Sequence, residues 1–459
     1  NTVVGGNAFE ANTTGGSNVA IGHSALDANT TASYNTAVGT YALTSNTTGA
    51  SQVGIGYQAL NSNTTGDRNT AIGYVAMTAN TTGNYNTSLG FGSLDANTTA
   101  SNNTAVGYNA LTTNTTGADN VAVGNSALGG NTTAANNTAV GSAALLANTT
   151  GTTNTAVGSL ALAANTTAAG GTAVGFRALN DNTTGEWNVA IGYDALGVNT
   201  TGTENVAVGS FSLDANTTGQ ENTAVGYAAM GATTTGRSNV AMGFEAFLAN
   251  TTGDYNVAIG YEALRANTTA SNNTAVGTSA LKVNTTGGSN VAVGTYALDA
   301  NTTGGNNTAL GYNSLGANTT ANYNTAVGHD ALAANTTGQY NVAIGNSAGD
   351  AITTGTENVC IGYDTGGGIT TGSNNVILGR GAANHDNTLT DGAQNVVIGD
   401  YSDVSSGSAL NQIVIGYNIT ASSNNEFRFG KPSNTVYNDF GTDASWTRSS
   451  DLHKKTNIE

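Results

Sequence analysis

Charged residues, proline and cysteine are all scarce in this chain. Of its 459 residues, 8% are charged, one is proline and one is cysteine. A single cysteine excludes an intrachain disulfide, and no apolar run is long enough to predict a membrane-spanning helix. The net charge of −17, with only 11 Lys and Arg, argues against nucleic acid as a partner because phosphate binding needs a basic face. We therefore expect neither nucleic-acid binding nor membrane insertion.

A repeat of seventeen residues fills most of the chain. A glycine recurs at every seventeenth residue from Gly5 to Gly379, and each closes a variant of the motif Asn-(Thr/Val)-Ala-(Val/Ile)-Gly. We number repeat positions from the Asn, so that residues 103–119 are positions 1 to 17 of one copy. A fixed period of this length indicates units that stack on one another instead of folding as separate globules.

Positions 2 to 5 alternate between a bulky and a small residue, as in Thr104, Ala105, Val106 and Gly107. This alternation is typical of a strand with one bulky face and one nearly flat face. A flat Ala and Gly face suits either a narrow coil interior or a packed subunit contact, and the pattern leaves both open. From Asn-Thr-Thr-Gly in the second half of the repeat we expect a further short strand and a tight corner, hence two strands per turn.

Positions 9 and 12 change together. Twenty consecutive copies carry Leu, Met or Phe at position 9, and nineteen of them carry Asn at position 12, with Thr233 as the exception. Gly349 is followed by Ile352, and Gly366 by Ile369, so apolar volume lost at one position returns at the other. Positions that exchange volume should fill one cavity. We therefore predict that the Asn residues form a buried ladder, and that their Asn-Thr-Thr sequons do not accept glycans.

Two further features have alternative interpretations. Position 6 is Tyr or Phe in eleven of twenty-three copies, including Tyr57, Tyr74 and Phe91, and such a stripe serves either sugar binding or packing. Cys360 takes a position held mostly by Ala in other copies, which favours a small buried thiol over a reactive one.

The repeat predicts an all-β fold, a β-solenoid or β-roll of 17-residue turns. Because each turn has few large apolar side chains, we expect lateral association to supply further burial, and hence a homotrimeric elongated fibre. We divide the chain into regular repeats at 1–379, irregular last turns at 380–416, a β-rich neck at 417–449, and a different segment at 450–459.

The last segment runs Ser450-Asp451-Leu452-His453-Lys454-Lys455-Thr456-Asn457-Ile458. It resembles the entry to the endosialidase-type intramolecular chaperone domain, a self-cleaving family with the pattern Ser-Asp-x-Arg-x-Lys-x-Asn-Ile. The resemblance implies a C-terminal chaperone of phage tail fibres and spikes, which assembles three chains and then cuts itself off. By this resemblance Ser450 is the nucleophile, Lys455 its general base, and the bond between Ser450 and Asp451 the one that is cleaved. His453 stands where the family has Arg.

The motif Asn-Val-Ala-Ile-Gly is also similar to the head repeats of trimeric autotransporter adhesins, which implies a trimeric β-roll. These observations lead us to expect an extracellular or virion fibre shaft that supports host attachment. A trimeric cell-surface adhesin that contacts a host receptor or glycan, through the aromatic stripe or residues 380–394, is the alternative, and ice binding by threonine rows is a third. Apart from self-cleavage we expect no enzyme and no cofactor. The four histidines show no metal-ligand spacing, and we expect His385 and Asp386 to lie in a solvated loop.

Overall fold

The computed structural model describes residues 1–442, which form part of two compact units, Asn1–Asn239 and Val240–Glu459. Each unit is a β-solenoid with a period of seventeen residues, and the described residues include no helix. The fold class predicted from the repeat is therefore confirmed at this level. Residues 443–449 of the predicted neck and the whole of 450–459, including Ser450 and Lys455, lie outside the described residues.

Nearly every turn contributes one strand of three residues. The first unit contains β1 Thr2–Val4, β2 Val19–Ile21, β3 Thr36–Val38, β4 Val53–Ile55, β5 Thr70–Ile72, β6 Thr87–Leu89, β7 Thr104–Val106, β8 Val121–Val123, β9 Thr138–Val140, β10 Thr155–Val157, β11 Thr172–Val174, β12 Val189–Ile191, β13 Val206–Val208 and β14 Thr223–Val225. The second unit contains β15 Val240–Met242, β16 Val257–Ile259, β17 Thr274–Val276, β18 Val291–Val293, β19 Thr308–Leu310, β20 Thr325–Val327, β21 Val342–Ile344, β22 Val359–Ile361, β23 Val376–Leu378, β24 Val396–Ile398, β25 Ile413–Gly416, β26 Glu426–Lys431 and β27 Asn434–Asp439.

Consecutive strands within each unit pair in parallel and in register. Thr104 lies opposite Val121, so equivalent repeat positions stack directly on one another. The offset lengthens to twenty residues only where Val376 lies opposite Val396, across the inserted segment. After β25 the pattern changes, because β26 pairs with β25 in parallel but with β27 in an antiparallel hairpin.

The expectation of two strands per turn is wrong, because the second half of each turn is a succession of turns and bends. Positions 7, 9 and 17 adopt left-handed backbone conformations, with φ of 51° at Asn109, 53° at Leu111 and 59° at Asp119. The left-handed residues prevent an extended strand at positions 7 to 9, and positions 13 and 14 form a bend, as at Thr115 and Thr116. The backbone is nevertheless bonded from turn to turn, since the Leu111 N–H donates to the Ala127 carbonyl over 2.9 Å.

The repeating glycine at position 5 is required by conformation. Gly107 has φ of 137°, and a Cβ there would overlap the carbonyl oxygen of Gly124 in the next turn. No other residue adopts this backbone without strain. At position 15, by contrast, Gly117 has no left-handed φ and is replaced by Ala134 one turn later, which confirms that this corner does not need a positive φ.

The interior is lined by Ala at positions 3 and 8, the large residue at position 9 and Asn at position 12. Ala105, Leu111 and Asn114 each have 0% exposure. The flat strand face therefore lines the coil interior, which resolves the two alternatives left by the sequence. The bulky residues at positions 2 and 4 point outward, and Leu310, for example, is 47% exposed.

The side chains at positions 9 and 12, whose residue types change together, fill one cavity, as predicted. We call the turns with a large residue at position 9 and Asn at position 12 the Leu–Asn turns. The turns with Gly349 and Ile352, and with Gly366 and Ile369, are the Gly–Ile turns. A Cβ placed at Gly349 would lie 3.0 Å from Cδ1 of Ile352, which is fully buried. The isoleucine therefore occupies the space that position 9 fills elsewhere.

Candidate functional site

The bulky strand residues form an exposed surface along each unit, which we call the sheet face; it is apolar at position 4, while position 2 is Thr in twelve of the strands from β1 to β25. It consists of the side chains at positions 2 and 4, and none of these is charged from β1 to β25. Leu89 is 45% exposed and Met242 is 46% exposed. Soluble monomers rarely expose contiguous apolar patches larger than a few hundred Å². The sheet face is thus the most extensive candidate contact surface in each unit.

The aromatic residues at position 6 lie beside the sheet face and stack from turn to turn. Ring centroids are 5.1 Å apart for Tyr57 and Tyr74, 5.3 Å for Tyr74 and Phe91, and 5.3 Å for Phe91 and Tyr108. Offset stacking of this kind contributes about 0.5–1.5 kcal/mol per pair beyond the area buried. The rings stay about half exposed, but Tyr74 and Phe91 are stacked on both faces and expose only their edges, whereas the end ring Tyr108 is stacked on one face only.

A second aromatic set, at position 17, was missed by the sequence analysis. Tyr34 is 70% exposed, Trp187 58% and Tyr255 52%, and Tyr323 stacks on Tyr340 with centroids 5.0 Å apart. Position 17 is aromatic in only a minority of copies, and so the period alone does not reveal it. Because position 17 precedes the strand and position 6 follows it, the aromatic residues border both edges of the sheet face.

The predicted Asn ladder at position 12 is confirmed as a buried amide array. Asn114 Nδ2 donates to Asn97 Oδ1 over 3.1 Å and to the Gly117 carbonyl over 2.8 Å. These asparagines are inaccessible to a glycosyltransferase in the folded chain. The ladder ends at the first Gly–Ile turn, where Asn335 Oδ1 is buried without a hydrogen-bond donor because Ile352 follows it.

Position 1 carries a second amide ladder, which the sequence analysis did not assign. The backbone N–H of Asn120 donates to Asn103 Oδ1 over 3.0 Å, and Asn120 Nδ2 donates to the Ala134 carbonyl over 2.9 Å. The recurrence of Asn at this position, replaced only by Gln52 and Gly171 in the regular repeats, was the available signal. Two buried amide rows therefore hold the turns in register, and neither has a side chain free for chemistry.

Three potential metal ligands meet at the insertion. Nδ1 of His385 lies 3.1 Å from Asp386 Oδ1, and together with Asp403 they place one ligand atom each within 4.8 Å of one another. Asp403 is buried, and its carboxylate accepts the backbone N–H groups of His385 and Asp386. Burial raises the pKa of Asp403. These bonds explain Asp403 as the anchor of the inserted loop, while His385 and Asp386 are exposed as expected.

Two further features of chemical interest lie in the described residues, a concavity and a thiol. A cleft of about 190 Å³ is lined by Arg177, Asp194, Gly197 and Asp214, with Arg177 and Asp194 forming an ion pair of 3.3 Å. Burial raises the pKa of the Cys360 thiol to about 12, so it is not a nucleophile at neutral pH. Neither feature repeats along the chain.

In the described residues, no helix combines the length and hydrophobicity that crossing a membrane would require. The predicted self-cleavage residues Ser450 and Lys455 lie outside residues 1–442, so no geometry is assigned to them. Comparisons of the chain with protein-family models, curated proteins and solved structures found no match.

Proposed function

We propose that this protein is the structural shaft of an extracellular or virion appendage, a tail fibre or spike that supports host attachment. The observation that carries the proposal is the sheet face, which is uncharged, is apolar at position 4 of every strand and repeats on consecutive turns of both units. Three copies packed through this face would remove the exposed Val, Ile and Leu side chains from water. At about 25 cal/mol per Å² of apolar surface, burial repeated on every turn gives a very stable assembly.

The proposal is tested by the mass of the native assembly. Multi-angle light scattering should give three times the chain mass, and the trimer should resist detergent without heating. Val123→Lys with Val140→Lys places charges on the sheet face and should dissociate the trimer. The matched control adds two lysines at the exposed position 17, through Asn136→Lys and Thr153→Lys, and should leave the trimer intact. A monomer under native conditions would refute the proposal.

Maturation by self-cleavage is a separate part of the proposal and rests on the resemblance of residues 450–459. With Lys455 taking its proton, the Ser450 hydroxyl would attack the carbonyl carbon of the Ser450–Asp451 peptide bond. The C–N bond breaks, the Asp451 amine leaves with that proton, and water hydrolyses the resulting ester to give a chain that ends at Ser450. Mass spectrometry of the product of the full-length gene should give a chain that ends at Ser450. Lys455→Ala should leave the chain uncut, and an uncut chain without that substitution would remove self-cleavage from the proposal.

A cell-surface adhesin is the second candidate, favoured by the exposed aromatic rows. Rings that stack on one neighbour only, such as Tyr108, Tyr323 and Tyr340, can stack on a sugar with the other face. Binding to a glycan array should then fall when the position 17 rings Tyr323 and Tyr340 are replaced by Ser. Glycan binding that survives these changes, and deletion of the inserted loop, would count against the adhesin function.

A further inference from the structure

Threonine at position 14 is exposed and invariant. It occurs in fourteen turns of the first unit, from Thr14 to Thr235, and in eight turns of the second, from Thr252 to Thr371, and each copy is exposed. Other water-facing positions vary in residue type from turn to turn. Position 17, for example, includes Ser, Tyr, Arg, Asp, Trp and Glu. Contact with water alone does not require one residue type at every turn.

The fold itself does not explain this threonine. The preceding threonine is accounted for, since Thr115 Oγ1 donates to the Thr132 carbonyl over 3.0 Å. In residues 1–442, by contrast, no protein group forms a hydrogen bond with a position 14 hydroxyl. The glycosylation sequon does not explain it either, because Thr354 and Thr371 persist where Ile replaces the Asn.

Positions 13 to 15 together form what we call the threonine strip. In all twenty-two turns the strip reads Thr-Thr followed by Gly or Ala, so it contains no charge and no side chain larger than threonine. The chain as a whole has a net charge of −17, and its charges lie mostly at positions 7, 10, 16 and 17. Within each unit the strip is therefore a row that carries no carboxylate of its own, and position 16 beside it is acidic only in a few turns, at Asp67, Glu186 and Asp254.

We propose that the threonine strip is a second self-association surface, which packs against the strip of another copy of this chain. An uninterrupted row favours a partner with the same repeat, because any partner with a different repeat drifts out of register over many turns. A second copy has the identical repeat over its whole length. Facing threonines then offer hydroxyls that donate and accept in equal number, and threonine is short enough to let the two backbones approach closely.

This inference rests on the proposed fibre and adds to it. The sheet face holds the copies within one shaft, and the strip pairs one shaft with another. Because both partners are acidic, pairing should strengthen as salt screens their repulsion. The mass at low protein and salt concentration therefore reports the shaft, and heavier species at higher concentration report the pairing.

Variants with the same added charge at different positions distinguish contact through the strip from a general effect of net charge on association. Thr116→Lys, Thr133→Lys and Thr150→Lys combined lower the net negative charge, which by itself would favour association. If the strip is the contact, however, they place like charges opposite one another, and lateral association should weaken by roughly tenfold. Sedimentation velocity over a range of protein concentrations measures this change.

The control adds the same charge to the neighbouring exposed position 17, through Asn102→Lys, Asn136→Lys and Thr153→Lys. It should leave lateral association unchanged or strengthen it. Equal behaviour of the two triples, or no lateral species at any salt concentration, would overturn the inference. If the first triple does not fold, the equivalent substitutions of Thr286, Thr303 and Thr320 test the second unit.

Two other outcomes are decisive. If Thr116→Ser, Thr133→Ser and Thr150→Ser lower the thermal midpoint of the shaft without changing its pairing, the threonines are a requirement of the corner. If the protein shows thermal hysteresis that the lysine triple abolishes, the strip binds ice and not a second copy. Either result would replace the inference, and the shaft mass would still report on the proposed function independently.

Discussion

The Leu–Asn turns and the Gly–Ile turns fill the same interior in different ways. In a Leu–Asn turn Leu315 is buried in a left-handed conformation with φ of 52°, and Asn318 Nδ2 donates to Asn301 Oδ1 over 2.8 Å. In a Gly–Ile turn Gly349 has nearly the same φ of 57° without a side chain to strain, and Ile352 fills the space. The Gly–Ile turn relaxes the backbone but gives up one rung of the amide ladder.

The difference shows which properties of the turn are obligatory. The left-handed backbone at position 9 persists whether the residue is Leu or Gly, so it belongs to the stacking and not to the side chain. The amide rung is optional, because each break in the ladder leaves one buried acceptor without a donor, Asn216 Oδ1 before Thr233 and Asn335 Oδ1 before Ile352. What both kinds of turn keep is the filled volume, which indicates that packing outweighs the ladder.

The largest expected effect comes from emptying a Leu–Asn turn. Leu315→Gly should destabilise the turns around it by about 4 kcal/mol, because it removes a buried side chain and leaves a cavity. Adding Asn318→Ile should recover a substantial part of that loss, with a coupling energy of at least about 1 kcal/mol. Long repeat arrays do not unfold in two states, so amide hydrogen exchange in these turns is the measurement. Strictly additive effects would show that the two positions do not share a cavity.

Converting a Gly–Ile turn into a Leu–Asn turn should cost less free energy of unfolding than emptying a Leu–Asn turn. Gly349→Leu alone overpacks the interior against Ile352 and should cost about 2 kcal/mol, and Ile352→Asn alone leaves a cavity of similar cost. Together they rebuild a Leu–Asn turn and provide a donor for Asn335 Oδ1, so the double substitution should cost less than either single one. Hydrogen exchange in the turn that begins at Asn341 measures this, and a double variant weaker than both singles would contradict it.

The two kinds of turn also show what sequence could and could not reveal. The sequence shows that the apolar side chain moves from position 9, as in Leu332, to position 12, as in Ile352 after Gly349. This change correctly predicted the shared cavity and the buried ladder. Left-handed leucines carry no signal, because leucine has no preference for that conformation and adopts it only under the constraint of stacked backbone bonds. For that reason a second strand was expected where the structure has turns. The sequence also could not show that the sheet face points outward, because an alternating pattern defines two faces of a strand but not which of them is inside.

Acidification should destabilise the terminal hairpin of β26 and β27 more than it destabilises the amide-bonded turns. Burial opposes the ionisation of Glu426, but hydrogen bonds from Ser422 and Arg428 outweigh it and lower the pKa of Glu426. A lowered pKa means that the stabilisation is present above the ordinary range of glutamate and is lost as the pH falls through the folded value. Asparagine amides do not titrate in this range.

Hydrogen-exchange protection of β26 and β27 should therefore fall on acidification while that of the Leu–Asn turns changes less. Glu426→Gln should cost about 1.5 kcal/mol at neutral pH and should remove most of the difference. Equal loss of protection in the hairpin and in the turns around Asn114 would show that Glu426 does not govern the hairpin.

The smallest expected effect lies at the contact between the two Gly–Ile turns. A Cβ at Gly366 would lie 2.8 Å from Cys360 Sγ, so the sulfur occupies space that the missing side chain at position 9 leaves open. In a Leu–Asn turn the equivalent residue is Ala, as at Ala309, because Leu315 already fills that space. Cys360→Ala should therefore cost about 1 kcal/mol, although it only restores the residue that most turns carry.

The same burial makes the native thiol slow to react, and alkylation at pH 8 should proceed only through opening of the Gly–Ile turns. The alkylation rate then reports the stability of these turns directly, and Gly349→Leu with Ile352→Asn should change it. Rapid labelling of the native protein would show that these turns are open to solvent. That result would mean that the Gly–Ile turns fill the interior as the Leu–Asn turns do but open to solvent more readily.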